Sequence, residues 1–168
     1  MIWSGARRWR STASAKAGCS WSPATTGSAC PNRWLNPAGI ADFDGDGVLE
    51  IAVVVTPHIG GTLRLLRPAG GTRMTRVAEA HGFSNHAIGS RDQDLSAVLD
   101  WDGDGLPDLA LPDAARREVV VVGFPGGIIR ELARFPLTAA VDGNFTMASG
   151  RIRVPLAGGG GAEFGPDR

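Results

Sequence analysis

Long apolar runs are missing from this 168-residue sequence. The longest, Ile51–Val55 and Val119–Val122, are of strand length and fall far below the roughly 18 residues a membrane helix requires. No membrane span is therefore expected. Cysteine is almost missing. Cys19 and Cys30 are the two present, and one pair in a chain of this length defines no disulfide framework. No His stands near them to complete a zinc site. Helical periodicity is missing throughout, which excludes the helical classes. A phosphate-cradling Gly-rich loop, a nucleophile elbow and a zinc motif are lacking as well, and with them the reactions those motifs announce. Acid is missing from residues 1–33, which hold Arg7, Arg8, Arg10, Lys16 and Arg33. The formal charge of the whole chain is zero, so the rest is acidic, with twelve basic residues against seventeen acidic ones. Its arginines are scattered along strands without interleaved aromatics, which argues against nucleic acid as a partner.

Residues 1–33 hold three of the five Trp and show periodicity of neither 2 nor 3.6. They are expected to be an irregular N-terminal segment, disordered or the product of a mistranslated start. No signal-type apolar stretch follows Arg7-Arg8, and Lys16-Ala17-Gly18 does not suit a lipoprotein signal before Cys19.

From Trp34 the chain repeats itself. GIADFDGDGVLEIAV (39–53) lies over AVLDWDGDGLPDLAL (97–111), and further on LRLLRPAGG (63–71) lies over VVVVGFPGG (119–127). Each unit reads as four strands: 36–42, 49–55, 62–67 and 73–79, then 94–100, 107–111, 118–124 and 128–135. Short β-branched and aliphatic runs between Gly/Pro/Asp turns are the signal. Ala69-Gly70-Gly71 and Pro125-Gly126-Gly127 supply residues that accept positive φ at a tight reversal. The expected fold is all-β, made of antiparallel four-stranded units at 34–92 and 93–149. Residues 150–168, with the run Gly158–Gly161, are expected to form a poorly ordered tail.

The chemistry lies in two acidic loops, Asp42-Phe43-Asp44-Gly45-Asp46-Gly47-Val48-Leu49-Glu50 and Asp100-Trp101-Asp102-Gly103-Asp104-Gly105-Leu106-Pro107-Asp108. Both place carboxylates at positions 1, 3, 5 and 9. Hard divalent cations take about six to eight oxygens, and acids on alternate residues of a tight turn converge on one point. Gly at position 6 allows the bend that brings the carbonyl of Val48 or Leu106 toward the same ion. Without a cation, each like-charge pair at about 4 Å costs on the order of 4 kcal/mol at an effective dielectric near 20. The candidate ligands are Asp42, Asp44, Asp46, Val48 and Glu50 in one loop, and Asp100, Asp102, Asp104, Leu106 and Asp108 in the other. Calcium suits them better than magnesium, which demands a tighter octahedron. An EF-hand is excluded, because position 12 is Val53 or Leu111, inside an apolar strand.

DFDGDGVLEIAVV and DWDGDGLPDLALP resemble the FG-GAP/VCBS repeats, the blades of integrin-alpha-type β-propellers, over residues 34–137. The resemblance implies that the loops join the first two strands of each blade and hold Ca2+ through their eight acids. Glu50 stands where Asp is usual, and the missing Phe-Gly/Gly-Ala-Pro signature points to the bacterial VCBS-like branch. Two blades do not close a ring, which takes about four to eight. An incomplete propeller is thus expected, completed by further blades of the same protein or by self-association. The implied function is a calcium-stabilised extracellular or periplasmic scaffold binding a protein or glycan ligand. The alternative is the propeller part of a carbohydrate-active lyase or hydrolase, and a lectin formed by the blades is a third reading. Asn85 and His86, in the crossing between the units, are the candidate ligand-binding residues on the rim. Phe43 and Trp101 are expected to pack between blades.

Overall fold

The computed structural model describes residues 34–166, and the expectations for residues 1–33 lie outside them. The described residues form eleven strands in three antiparallel sheets, with no α-helix among them. None of their helical turns is long and apolar enough to cross a membrane. The first sheet runs β1 (Leu35–Ala41), β2 (Glu50–Val55), β3 (Thr62–Pro68) and β4 (Met74–His81), paired in chain order. The second repeats that order with β5 (Ala97–Leu99), β6 (Asp108–Pro112), β7 (Glu118–Gly123) and β8 (Arg130–Pro136).

Period-2 burial makes the sheets stack. In the first sheet Ala52, Val54, Leu63 and Leu65 face the second sheet and meet Leu109, Leu111, Val120, Val122 and Phe124. The alternate residues of the second sheet, Ala110, Val119 and Val121, turn the other way into a second core. The middle sheet is therefore apolar on both faces, which explains why β6 and β7 read as unbroken hydrophobic runs rather than alternating ones. The outer strands β4 and β8 are charged: Glu79 of β4 pairs with Arg76 and with Arg64 of β3, and Glu131 pairs with Arg134 in β8. Charged side chains on an open edge discourage strand addition.

What covers the second core corrects the expectation of a poorly ordered tail. Residues β9 (Thr146–Ala148), β10 (Arg151–Pro155) and β11 (Gly161–Phe164) form a third sheet, in the order β11-β10-β9. Ile152, Val154 and Leu156 alternate into the core, and the first two have no exposed surface. Burying such a side chain contributes about 1.5–3 kcal/mol, enough to offset the ordering of a short hairpin. The run Gly158-Gly159-Gly160, all at φ near +90°, makes the reversal between β10 and β11. The boundary expected between 149 and 150 falls within the β9–β10 turn, where Ser149 and Gly150 are both left-handed, the pattern of a two-residue hairpin.

β5 is shorter than the expected 94–100, and Asp94 is engaged elsewhere. Its amide donates to Asn144 Oδ1 at 2.9 Å and its carbonyl accepts from the Phe145 amide at 2.8 Å, tying the second sheet to the start of the third.

Candidate metal centre

The acidic loops connect β1 to β2 and β5 to β6, and they share most of their hydrogen bonds. In the first, the amides of Gly45 and Gly47 donate to the two oxygens of Asp42, both at 2.9 Å. In the second, Gly103 and Gly105 donate to Asp100 at 2.8 and 3.2 Å. The position-5 acids repeat as well: Val48 donates to Asp46 Oδ1 at 2.9 Å, and Leu106 to Asp104 Oδ1 at 2.8 Å. Wrapping the chain round a carboxylate in this way needs left-handed residues. Gly47 and Gly105 supply them at φ +87° and +88°, where a Cβ would be strained.

The position-9 acid begins the buried strand and closes each loop. Glu50 Oε2 accepts the Phe43 amide at 2.9 Å, and Asp108 Oδ2 accepts the Trp101 amide at 2.8 Å. Both acids are buried, whereas their loop partners are half-buried or exposed. The result is two clusters, Asp42 with Asp44 and Glu50, and Asp100 with Asp102 and Asp108, in which one oxygen of each acid lies within 4.8 Å of the others. Asp46 and Asp104 fall outside these clusters, so the structure gathers three of the four expected acids of each loop. Val48 and Leu106 enter through their amides.

The donors suit a hard cation, being carboxylate oxygens only. Asp44 Oδ1 is buried without a hydrogen-bond donor among the described residues, the condition of an oxygen that a cation would satisfy. Burial, reinforced by the charges of Asp102 and Asp104 and opposed by the Trp101 amide, pushes the Asp108 carboxyl up to about 6. A nearby cation would reverse that shift by favouring the ionised form.

One member of the first site escaped the sequence reading. Arg67, at the end of β3, donates through Nε and Nη2 to Glu50 Oε1 at 2.8 and 2.6 Å. It also bonds Asp44 Oδ2 and pairs with Asp46 Oδ2 at 2.8 Å. Bonding to Glu50 and Asp44 raises its pKa further above the ordinary arginine value. Extending the β2–β3 register one step beyond Ile51↔Leu66 sets Arg67 opposite Glu50. The same step beyond Leu109↔Val122 sets Gly123 opposite Asp108. The repeat alignment held the signal, since it lays Arg67 over Gly123.

Asn85 and His86 are not on a rim surface. Asn85 has no exposed area and His86 only 2%. Asn85 Nδ2 donates to Pro37 O at 2.9 Å, while Asn36 Nδ2 donates back to Asn85 O at 3.1 Å and to Gln93 O at 2.7 Å. This exchange fastens the inter-unit crossing to β1, because buried backbone carbonyls must find donors. His86 stacks on Trp34 with ring centroids 4.7 Å apart. The expected position on the surface is thus overturned by burial of the crossing between the first two sheets. Compared with known proteins, the chain matches no family model and no curated protein.

Proposed function

We propose that this chain is a calcium-stabilised scaffold of the FG-GAP/VCBS kind, whose sheets are propeller blades and which presents its loops to a protein or glycan partner outside the cytoplasm. The observation that carries the reading is the duplicated cage: two loops far apart in sequence fold the same backbone round a position-1 carboxylate and focus acids 1, 3 and 9 on one point. Sheets built as in-order meanders, stacked face to face with β1 against β5, support the blade interpretation. In this reading the ion holds β1 to β2 and β5 to β6 and takes no part in chemistry.

An ion that binds only the folded chain stabilises it by about 2.7 kcal/mol when its free concentration is roughly one hundred times Kd. The test is thermal unfolding in excess chelator and again after calcium is restored. A melting temperature that falls on chelation and recovers with calcium, more than with magnesium, is expected. A melt indifferent to chelator and to calcium would overturn the reading.

A further inference from the structure

We infer that the two loops are unequal: Arg67 serves as a built-in cation in the first, so that the second is where the free ion binds tightly. The inference rests on the metal reading above and adds selectivity to it. The guanidinium engages Glu50, Asp44 and Asp46 together, and the first two belong to the converging cluster. Glu50 is fully buried, so its charge demands a partner, and Arg67 is the one it has among the described residues. Arginine suits the task through a planar fork of donors that cannot deprotonate. Seated there, Arg67 occupies Glu50 Oε1, Asp44 Oδ2 and Asp46 Oδ2, oxygens that an ion in the first loop would otherwise take among its roughly six to eight.

At the matching station of the second loop stands Gly123. A Cβ built there would lie 2.8 Å from Asp108 Oδ1 and 3.1 Å from Leu132 Cδ1, so the position excludes a side chain. Among the described residues, Asp100, Asp102 and Asp108 therefore carry no internal cation. To enter the first loop an ion must first break several charge-assisted hydrogen bonds, each contributing more than a neutral one. Its affinity there is at least about tenfold weaker than in the second loop.

Terbium, a calcium substitute whose emission is sensitised by a neighbouring Trp, distinguishes the loops, because Trp101 lies in the second and Phe43 holds the same position in the first. Titration of the full chain followed by calorimetry with calcium should find one tight ion, with Trp-sensitised emission. The paired change Asp100→Asn and Asp102→Asn should abolish that ion, and adding Arg67→Gln to this variant should bring one tight ion back without the emission. Two ions of equal affinity in the parent chain, or a tight ion persisting in the paired variant, would overturn the role of Arg67 while leaving the calcium reading intact. No ion bound by any of these proteins would overturn both. Should the triple variant fail to fold, the parent and the paired variant still decide the question.

Discussion

The ring of Phe43 lies 4.7 Å from that of Phe124, tilted by 53°, which anchors the first acidic loop in the neighbouring sheet. The same residue donates its amide to Glu50. Phe43 thus links the cage to the first core, and sequence position 2 of the loop is an interface position. Trp101, its counterpart, packs against the second core on Phe135, at 5.4 Å, and Phe135 stacks on Phe164 of the third sheet. Phe43→Ala should destabilise the chain by about 3–5 kcal/mol, the usual cost of emptying a buried aromatic site. Phe43→Leu should recover most of it. Denaturant unfolding monitored by circular dichroism reads both.

Gly105 offers a clean test of loop conformation. No described residue beyond its chain neighbours has an atom within 4 Å of a Cβ built on it, yet its φ is +88°. Gly105→Ala should then cost about 1–2 kcal/mol through the backbone alone. Calcium affinity should fall in parallel, since the Gly105 amide helps hold Asp100. An unchanged affinity in this variant would separate the bend from the binding site.

Asp108 predicts an unusual pH dependence. Its pKa of about 6 lies above the ordinary carboxyl value of 3.8, so the folded chain keeps a proton that the unfolded chain releases. The stability it contributes is full below the unfolded value and is lost as pH rises through about 6. In chelator, the parent should lose about 1–2 kcal/mol relative to Asp108→Asn as pH rises across that interval. Calcium should remove the effect. Unfolding free energies of the two proteins at several pH values, with and without the ion, provide the check.

Ile152→Ala tests the third sheet. Ile152 is fully buried in the second core, and its loss should cost about 2–5 kcal/mol. A change within experimental error would mean that the hairpin does not dock.

The strands and both loops were legible because their signals are local. Period-2 burial in β3, with Leu63 and Leu65 inward, and the DxDxDG spacing each need only adjacent residues. The third sheet was obscured by glycine: Gly158–Gly161 reads as low complexity, although the alternation Ile152, Val154, Leu156 was present upstream. Arg67 and the Asn36–Asn85 exchange were hidden for another reason. Their partners lie 17 to 49 residues away, and only the register of strands, or their place in a buried crossing, brings them together. Burial of Asn85 and His86 was beyond any local pattern, because a polar crossing segment resembles a surface loop until its neighbours are known.

β7 divides its side chains evenly, Val120 and Val122 to one neighbour and Val119 and Val121 to the other. The central layer acts as a party wall: neither adjoining compartment can be dismantled without baring a face of the partition itself. The three layers should accordingly come apart in a single event.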